Sequence, residues 1–303
     1  MDIMKKYVPS LAPLFLLIFF LHAKANAQNE KPLFSFGLIA DIQYCDCDSS
    51  GTRFYRNSPA KLDSCLADFR DENLSFIVSL GDLIDRDFES YEKIIPRIEA
   101  TGIKTHYVLG NHEFSVENEE KSQVLTRLGM EKRYYDFSKD KWRFVITDGN
   151  DESVYAWEKG TKNDQKSTKK LAQLKEENLP QAQPWNGAIG KKQLKWLASV
   201  LKDAEAKGEK VVLFSHFPVY PKGDANLWND RQIIELLESS PAVVAWINGH
   251  HHAGNYEKRS GIHYFTMRAM VETASSNSYG VVDVYPNRLV FRGKGREPLR
   301  VFK

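Results

Sequence analysis

Five short apolar runs in this 303-residue chain each end on a side chain able to bind a cation or carry a proton. Residues 34–40 lead into Asp41, 76–80 into Gly81-Asp82, 105–109 into Gly110-Asn111-His112, 211–215 into His216, and 243–248 into Gly249-His250. Singly these are weak signals, because Gly-Asp is ordinarily a turn and an isolated histidine after a strand is ordinarily structural. Together they form a donor set. Asp41 and Gln43 lie two apart, as do His250 and His252, and residues i and i+2 of an extended chain point the same way. His251, between the last two, is then expected to point away. Asn111 sets a neutral oxygen beside His112, an imidazole able to donate a proton. Two aspartates, a glutamine, an asparagine and several histidines suit two divalent ions held close together.

Such side chains act together only if strands and helices bring them to one place. Pro59 at a first helical turn, with Ser58 as N-cap, opens a helix in which Leu62, Cys65, Leu66 and Phe69 share a face. A second helix near 91–100 aligns Tyr91, Ile94, Ile95 and Ile98, and a third over 191–207 aligns Leu194, Leu197, Leu201 and Ala204. A short helix follows at 230–238. Apolar strands alternating with these helices predict an α/β core. In such sheets the carboxyl ends of the strands border the ligand crevice, which is where all five polar termini fall. The tail looks all-β, with strands near 262–266, 280–285 and 288–292. One domain with two sheets is the simplest account.

The middle of the chain departs from this pattern. Residues 115–185 hold a strand pair, about 134–137 and 143–147, and then a polar, Lys-rich stretch over 158–183, read as an insertion with some helix bordering a pocket. At the start, Lys5 and Lys6 precede an apolar run over 11–21 and then Ala25-Asn26-Ala27. That arrangement predicts a secretory signal over 1–27, cleaved after Ala27, and an exported, periplasmic or secreted protein of residues 28–303. The run is well short of the ~20 apolar residues that a membrane span needs. Removing Lys5, Lys6, Lys24 and Asp2 from the 42 basic and 40 acidic residues leaves a balanced chain, in which nothing argues for nucleic acid polymers or membrane surfaces as partners. Three cysteines, Cys45, Cys47 and Cys65, leave at least one unpaired within the chain; a bridge from Cys65 to either of the others, a soft metal ligand and simple packing are all open.

The ordered series Asp-x-Gln, Gly-Asp, Gly-Asn-His-Glu, Ser-His and Gly-His-x-His, over residues 41–252, resembles the calcineurin-like metallophosphoesterases. The resemblance implies two mixed β-sheets sandwiched between helices, with metals at the strand ends. It also implies one ion on Asp41, Gln43, Asp82 and His252 and another on Asp82, Asn111, His216 and His250, with Asp82 bridging and a hydroxide between the ions as nucleophile. His112 is then the candidate for protonating the leaving group or steadying its charge. Gln43 stands where the broad family usually has His. An amide oxygen in place of a nitrogen makes that position harder and favours Mn²⁺ or Mg²⁺ over Zn²⁺.

That departure resembles one branch, the manganese-dependent ADP-ribose/CDP-alcohol diphosphatases. Ala40-Asp41-Ile42-Gln43-Tyr44, Tyr55-Arg56-Asn57-Ser58, Trp228-Asn229-Asp230-Arg231, Val271-Glu272-Thr273 and Gly293-Lys294-Gly295-Arg296 are similar to it as well. Gly254-Asn255-Tyr256 departs from it, since the branch tends to have two glycines before the tyrosine. The branch implies hydrolysis of a nucleoside diphosphate-X bond. Arg56, with Asn57, is a candidate phosphate clamp because a guanidinium matches phosphate oxygens in a fork. Tyr44, Phe114 and Trp228 are candidates for lining the pocket. The core motifs alone would also serve a less selective phosphodiesterase or phosphatase, and a chain that had lost catalysis would remain a metal- or nucleotide-binding protein.

Overall fold

The computed structural model describes residues 30–303, so the expected signal segment lies outside the described residues. Strand β1 (Phe34–Ile39) shows how the core arises. Phe34, Phe36 and Leu38 face one side and Ile39 the other, and both sides are apolar clusters. The chain then alternates through α1 (Ser58–Asp71), β2 (Leu74–Ser79), α2 (Tyr91–Glu99) and β3 (Thr105–Tyr107), with β1, β2 and β3 parallel neighbours. The short α3 (Val124–Arg127) leads to the second sheet: β4 (Tyr135–Lys139), β5 (Trp142–Ile146), β6 (Lys210–Phe214), β7 (Val243–Asn248), β8 (Asn255–Arg259) and β9 (Ile262–Thr266), with β5, β6, β7 and β9 parallel. Its crossovers carry α4 (Lys162–Glu176), α5 (Lys191–Ala206) and α6 (Asp230–Glu238). The tail returns to the first sheet as β10 (Ser278–Val284), β11 (Leu289–Gly295) and β12 (Arg300–Phe302), all antiparallel.

The two six-stranded sheets run β12-β11-β10-β1-β2-β3 and β4-β5-β6-β7-β9-β8. Between them lies one core, in which Phe36, Phe76, Phe144 and Phe214 interlock by stacked and edge-to-face contacts. Outside the first sheet, α1 and α2 bury Leu62, Leu66, Phe69, Ile94 and Ile98; outside the second, α5 and α6 bury Leu197, Leu201, Ile233 and Leu237. The order helix, sheet, sheet, helix is the expected sandwich.

Several local expectations change. Ser58 is already helical and Asn57 takes the cap position, but the Asn57 amide donates instead to the carbonyl of Ala274 at 2.8 Å. Within residues 115–185 the strand pair forms as β4 and β5, which join the second sheet, and the polar stretch carries α4. In that helix only Asp164, Ser167 and Leu171 are buried. The polar edge strand β8 and the three-residue β12 lack the apolar alternation that would have revealed them. The cysteines pair as Cys45–Cys47, not with Cys65, because Cys65 is buried among the apolar residues of α1.

Candidate metal centre

Asp41, Asp82, Asn111, His216 and His250 follow the carboxyl ends of β1, β2, β3, β6 and β7, and the structure brings them together. His216 is the hub. Its Nε2 lies 3.1 Å from Asp82 Oδ2, 3.2 Å from Asn111 Oδ1 and 3.1 Å from His250 Nδ1. Gln43 reaches the same Asp82 Oδ2 through its Nε2 at 3.2 Å. On the far side, His252 Nε2 lies 3.8 Å from Asp41 Oδ1.

The backbone is strained to achieve this. Asp41, Gln43, Asp82 and His250 have φ of 51°, 43°, 55° and 66°, in the left-handed region that non-glycine residues seldom occupy. Each such residue costs on the order of 1–3 kcal/mol and persists only where its surroundings impose it. The reward is that carboxylates and imidazole turn inward at the strand ends. The motif glycines make room for them: a Cβ on Gly110 would lie 2.2 Å from Asp82 Oδ1, and one on Gly249 would lie 2.5 Å from Asp41 Oδ2.

Hydrogen bonds on the outer nitrogens decide which inner nitrogen is free. His216 Nδ1 donates to the carbonyl of Leu80 at 2.8 Å, leaving Nε2 inward. His250 uses Nε2 on Asn186 Oδ1 at 3.0 Å, leaving Nδ1. The Asn186 amide orientation follows from its Nδ2 donating to the carbonyls of Gln181 and Asp224. His252 Nδ1 donates to Glu272 Oε1 at 2.6 Å, leaving Nε2. Glu113 braces the turn below, accepting from the backbone N–H groups of Asp82, Leu83 and Gly110 at 2.8, 2.7 and 2.6 Å. None of Glu113, Asn186 or Glu272 was singled out for a role by sequence reasoning. Glu113 and Glu272 lie within quoted motifs, and that was the available signal.

Charge balance follows. Burial alone would raise Asp82, but His216 and His112 hold it well below the usual carboxylate range. Burial outweighs His216 and His252 at Asp41 and pushes that carboxyl up. At His216 burial is overcome by Asp82, which lifts the imidazole to about 9, while burial and the neighbouring His216 push His250 well down. The buried Gln43 Oε1 has no hydrogen-bond partner among the described residues, the mark of an oxygen awaiting an electrophile. These mixed oxygen and nitrogen donors fit divalent ions.

The centre opens into a cleft of about 740 Å³. Its walls include Thr52, Arg53, Trp185, Asp224, Ala225 and His251. His112 faces it too, with Nδ1 donating to the carbonyl of Asp85 at 2.6 Å and Nε2 left free. Arg56 does not line this cleft. It is exposed, with its guanidinium on Asp46 and Asp48 at 2.6 Å each, and Arg53 occupies the wall instead. Asn57 is likewise engaged elsewhere, on Ala274. His251 is an exposed residue beside the cleft, while Phe114 and Trp228 pack in the interior and Tyr44 lies half-buried against the α1–α2 cluster.

The chain belongs to the calcineurin-like phosphoesterase family, which it matches over residues 34–254, and is a metal-dependent hydrolase. It is 33% identical to the manganese-dependent ADP-ribose/CDP-alcohol diphosphatase of Xenopus laevis, over 88% of this chain and 89% of that protein. It is 31% identical to the protein of the same name in Arabidopsis thaliana, over 88% of this chain and 96% of that one. Its fold is similar to the crystal structure of a dimetal phosphatase from Danio rerio, with a TM-score of 0.83 and 28% identity over 90% of this chain and 99% of that one.

Proposed function

We propose that the protein is an exported enzyme that hydrolyses the phosphoanhydride bond of small nucleoside diphosphate-X compounds, such as ADP-ribose or CDP-alcohols, with two Mn²⁺ ions as cofactor. The observation that carries this reading is Gln43. Its unpartnered amide oxygen stands in the buried donor set, and an oxygen there favours a hard ion such as Mn²⁺. The similarity to proteins named as manganese-dependent ADP-ribose/CDP-alcohol diphosphatases supports the substrate class. Export is supported by the basic, apolar and Ala-x-Ala segments of residues 1–27. Among the described residues no helix is long and apolar enough to cross a membrane.

Asp41, Gln43, Asp82, Asn111, His216, His250 and His252 would hold the ions. Divalent ions there supply Lewis-acid stabilisation of charge at phosphorus and an activated water. The chain's own groups do the rest. The hydrogen-bonded outer nitrogens of His216, His250 and His252 fix each ring, so the donor set is organised before substrate arrives. His112, fixed through Nδ1 by the Asp85 carbonyl, presents Nε2 to the cleft, where in its imidazolium form, with both nitrogens protonated, it can hand the Nε2 proton to the departing phosphate oxygen and be left neutral. Arg53 offers a guanidinium to a phosphate at the cleft wall.

The test is product analysis with ADP-ribose, CDP-choline, a UDP-sugar and a simple phosphodiester, each with Mn²⁺ and with Mg²⁺. The expected products are AMP and CMP, formed best with Mn²⁺. A chain that leaves every nucleotide intact yet cleaves the phosphodiester is a different phosphoesterase.

A further inference from the structure

Segment 269–274 touches both halves of the site and is held by two cations that the chemistry above does not use. Its backbone runs beside the strand end that carries Asp41: Met270 N donates to the carbonyl of Ala40 at 3.0 Å and Val271 N to that of Asp41 at 2.9 Å. It also meets the cleft wall, where Thr273 N donates to the carbonyl of Thr52 at 2.8 Å and Glu272 forms a bridge with Arg53. Glu272 is the residue that fixes His252.

Lys61, on α1, is buried and has no carboxylate within ion-pair distance among the described residues. Its ammonium donates to three carbonyls of this one segment: Met270, Glu272 at 3.1 Å and Thr273 at 3.0 Å. Arg296 approaches from beyond β11 and donates through Nη2 to the carbonyls of Ala269 and, at 3.5 Å, Glu272. Two cations thus converge on one short loop, and the cost of desolvating them is offset by the hydrogen bonds they donate to its carbonyls. The other rings are fixed from elsewhere, His216 by Leu80 and His250 by Asn186.

We propose that Lys61 and Arg296 are positioning residues that clamp the carbonyls of 269–273, set Glu272 against His252, and so control occupancy of one of the two ion sites, the one on Asp41, Gln43 and His252. This rests on the two-ion reading of the centre. The clamp acts through backbone carbonyls, so it requires a cation able to donate several hydrogen bonds, and an apolar side chain of similar length cannot replace it.

The experiment is a titration of the metal-free full chain with Mn²⁺, with free ion measured by electron paramagnetic resonance, together with the melting temperature of each metal-free variant. The unsubstituted chain is expected to take up two equivalents. Lys61→Met is expected to keep one equivalent unchanged and weaken the other by about 10–100-fold, with Lys61→Arg restoring much of the loss. Glu272→Gln, a change at the cleft wall, is expected to give the same selective loss and serves if Lys61→Met does not fold. Equal weakening of both equivalents, in step with a lower metal-free melting temperature, would mean a merely structural role and overturn the proposal. So would two unchanged equivalents in Lys61→Met or in Glu272→Gln. An unsubstituted chain that binds fewer than two ions overturns the reading of the centre itself.

Discussion

The ring of His112 is held by the main chain of Asp85, whose carbonyl oxygen accepts from Nδ1 at 2.6 Å, and not by a side chain that substitution could easily mimic. The Asp85 carboxylate lies further off, with Oδ1 at 3.6 Å. The main-chain N–H of His112 separately donates to Asp82 Oδ1 at 2.9 Å. The residue therefore braces the metal centre with its backbone and faces the cleft with its side chain.

Replacing His112 by Ala should remove the proton donor and leave the brace. Turnover is expected to fall by about 10²–10⁴-fold, the usual worth of a general acid, with metal content preserved. Steady-state kinetics alongside elemental analysis of the purified variant check this. Unchanged turnover would assign His112 a structural role.

Gln43→His should exchange an amide oxygen for an imidazole nitrogen in the centre. The activation profile is expected to move from Mn²⁺ towards Zn²⁺ and Fe²⁺. An identical ranking of metals before and after would remove Gln43 from the ions' immediate ligands.

Glu113→Ala strips one buried carboxylate from three backbone N–H groups. Each stranded donor costs about 1–3 kcal/mol, so a loss of several kcal/mol is expected in urea unfolding of the metal-free protein. Because two of those donors belong to Gly110 and Asp82, metal binding should weaken too.

Acid should loosen the edge where β3 meets β4. His106 stacks on Phe137 with centroids 4.0 Å apart, and burial, reinforced by Lys104, lowers its ring from 6.5 to about 4. The unfolded chain therefore binds more protons between those values, and the stability from the neutral ring, present above 6.5, is lost as pH falls towards 4. Between pH 7 and pH 5 this ring should account for on the order of 1–2 kcal/mol of lost stability. Urea midpoints of His106→Phe should fall less over that interval than those of the unsubstituted chain.

The central strands were legible because a strand buried on both faces is a continuous apolar run, and residues 76–80 and 243–248 are such runs. Strand β8, Asn-Tyr-Glu-Lys-Arg, was not, since an edge strand facing solvent needs no apolar alternation. Arg56 was the natural clamp from its motif, yet Asp46 and Asp48 fold back onto it, and the cleft receives Arg53 three residues earlier. A loop's turns decide which of two nearby arginines faces a pocket, and no periodicity encodes them.

The sequence by itself pointed to the candidate donor side chains, because five of them stand at or just past the ends of apolar runs that must become buried strands and two more lie two residues further on. It also placed a glutamine, Gln43, where the family it resembles usually has a histidine. Only the tertiary structure decided which nitrogen of each histidine turns inward. That choice rests on Leu80 for His216, Asn186 for His250 and Glu272 for His252, partners 20 to 136 positions away along the chain. Hydrogen-bond partners so distant in sequence are set by how the sheets and loops pack, so the chemistry of the site was readable residue by residue while its orientation was not.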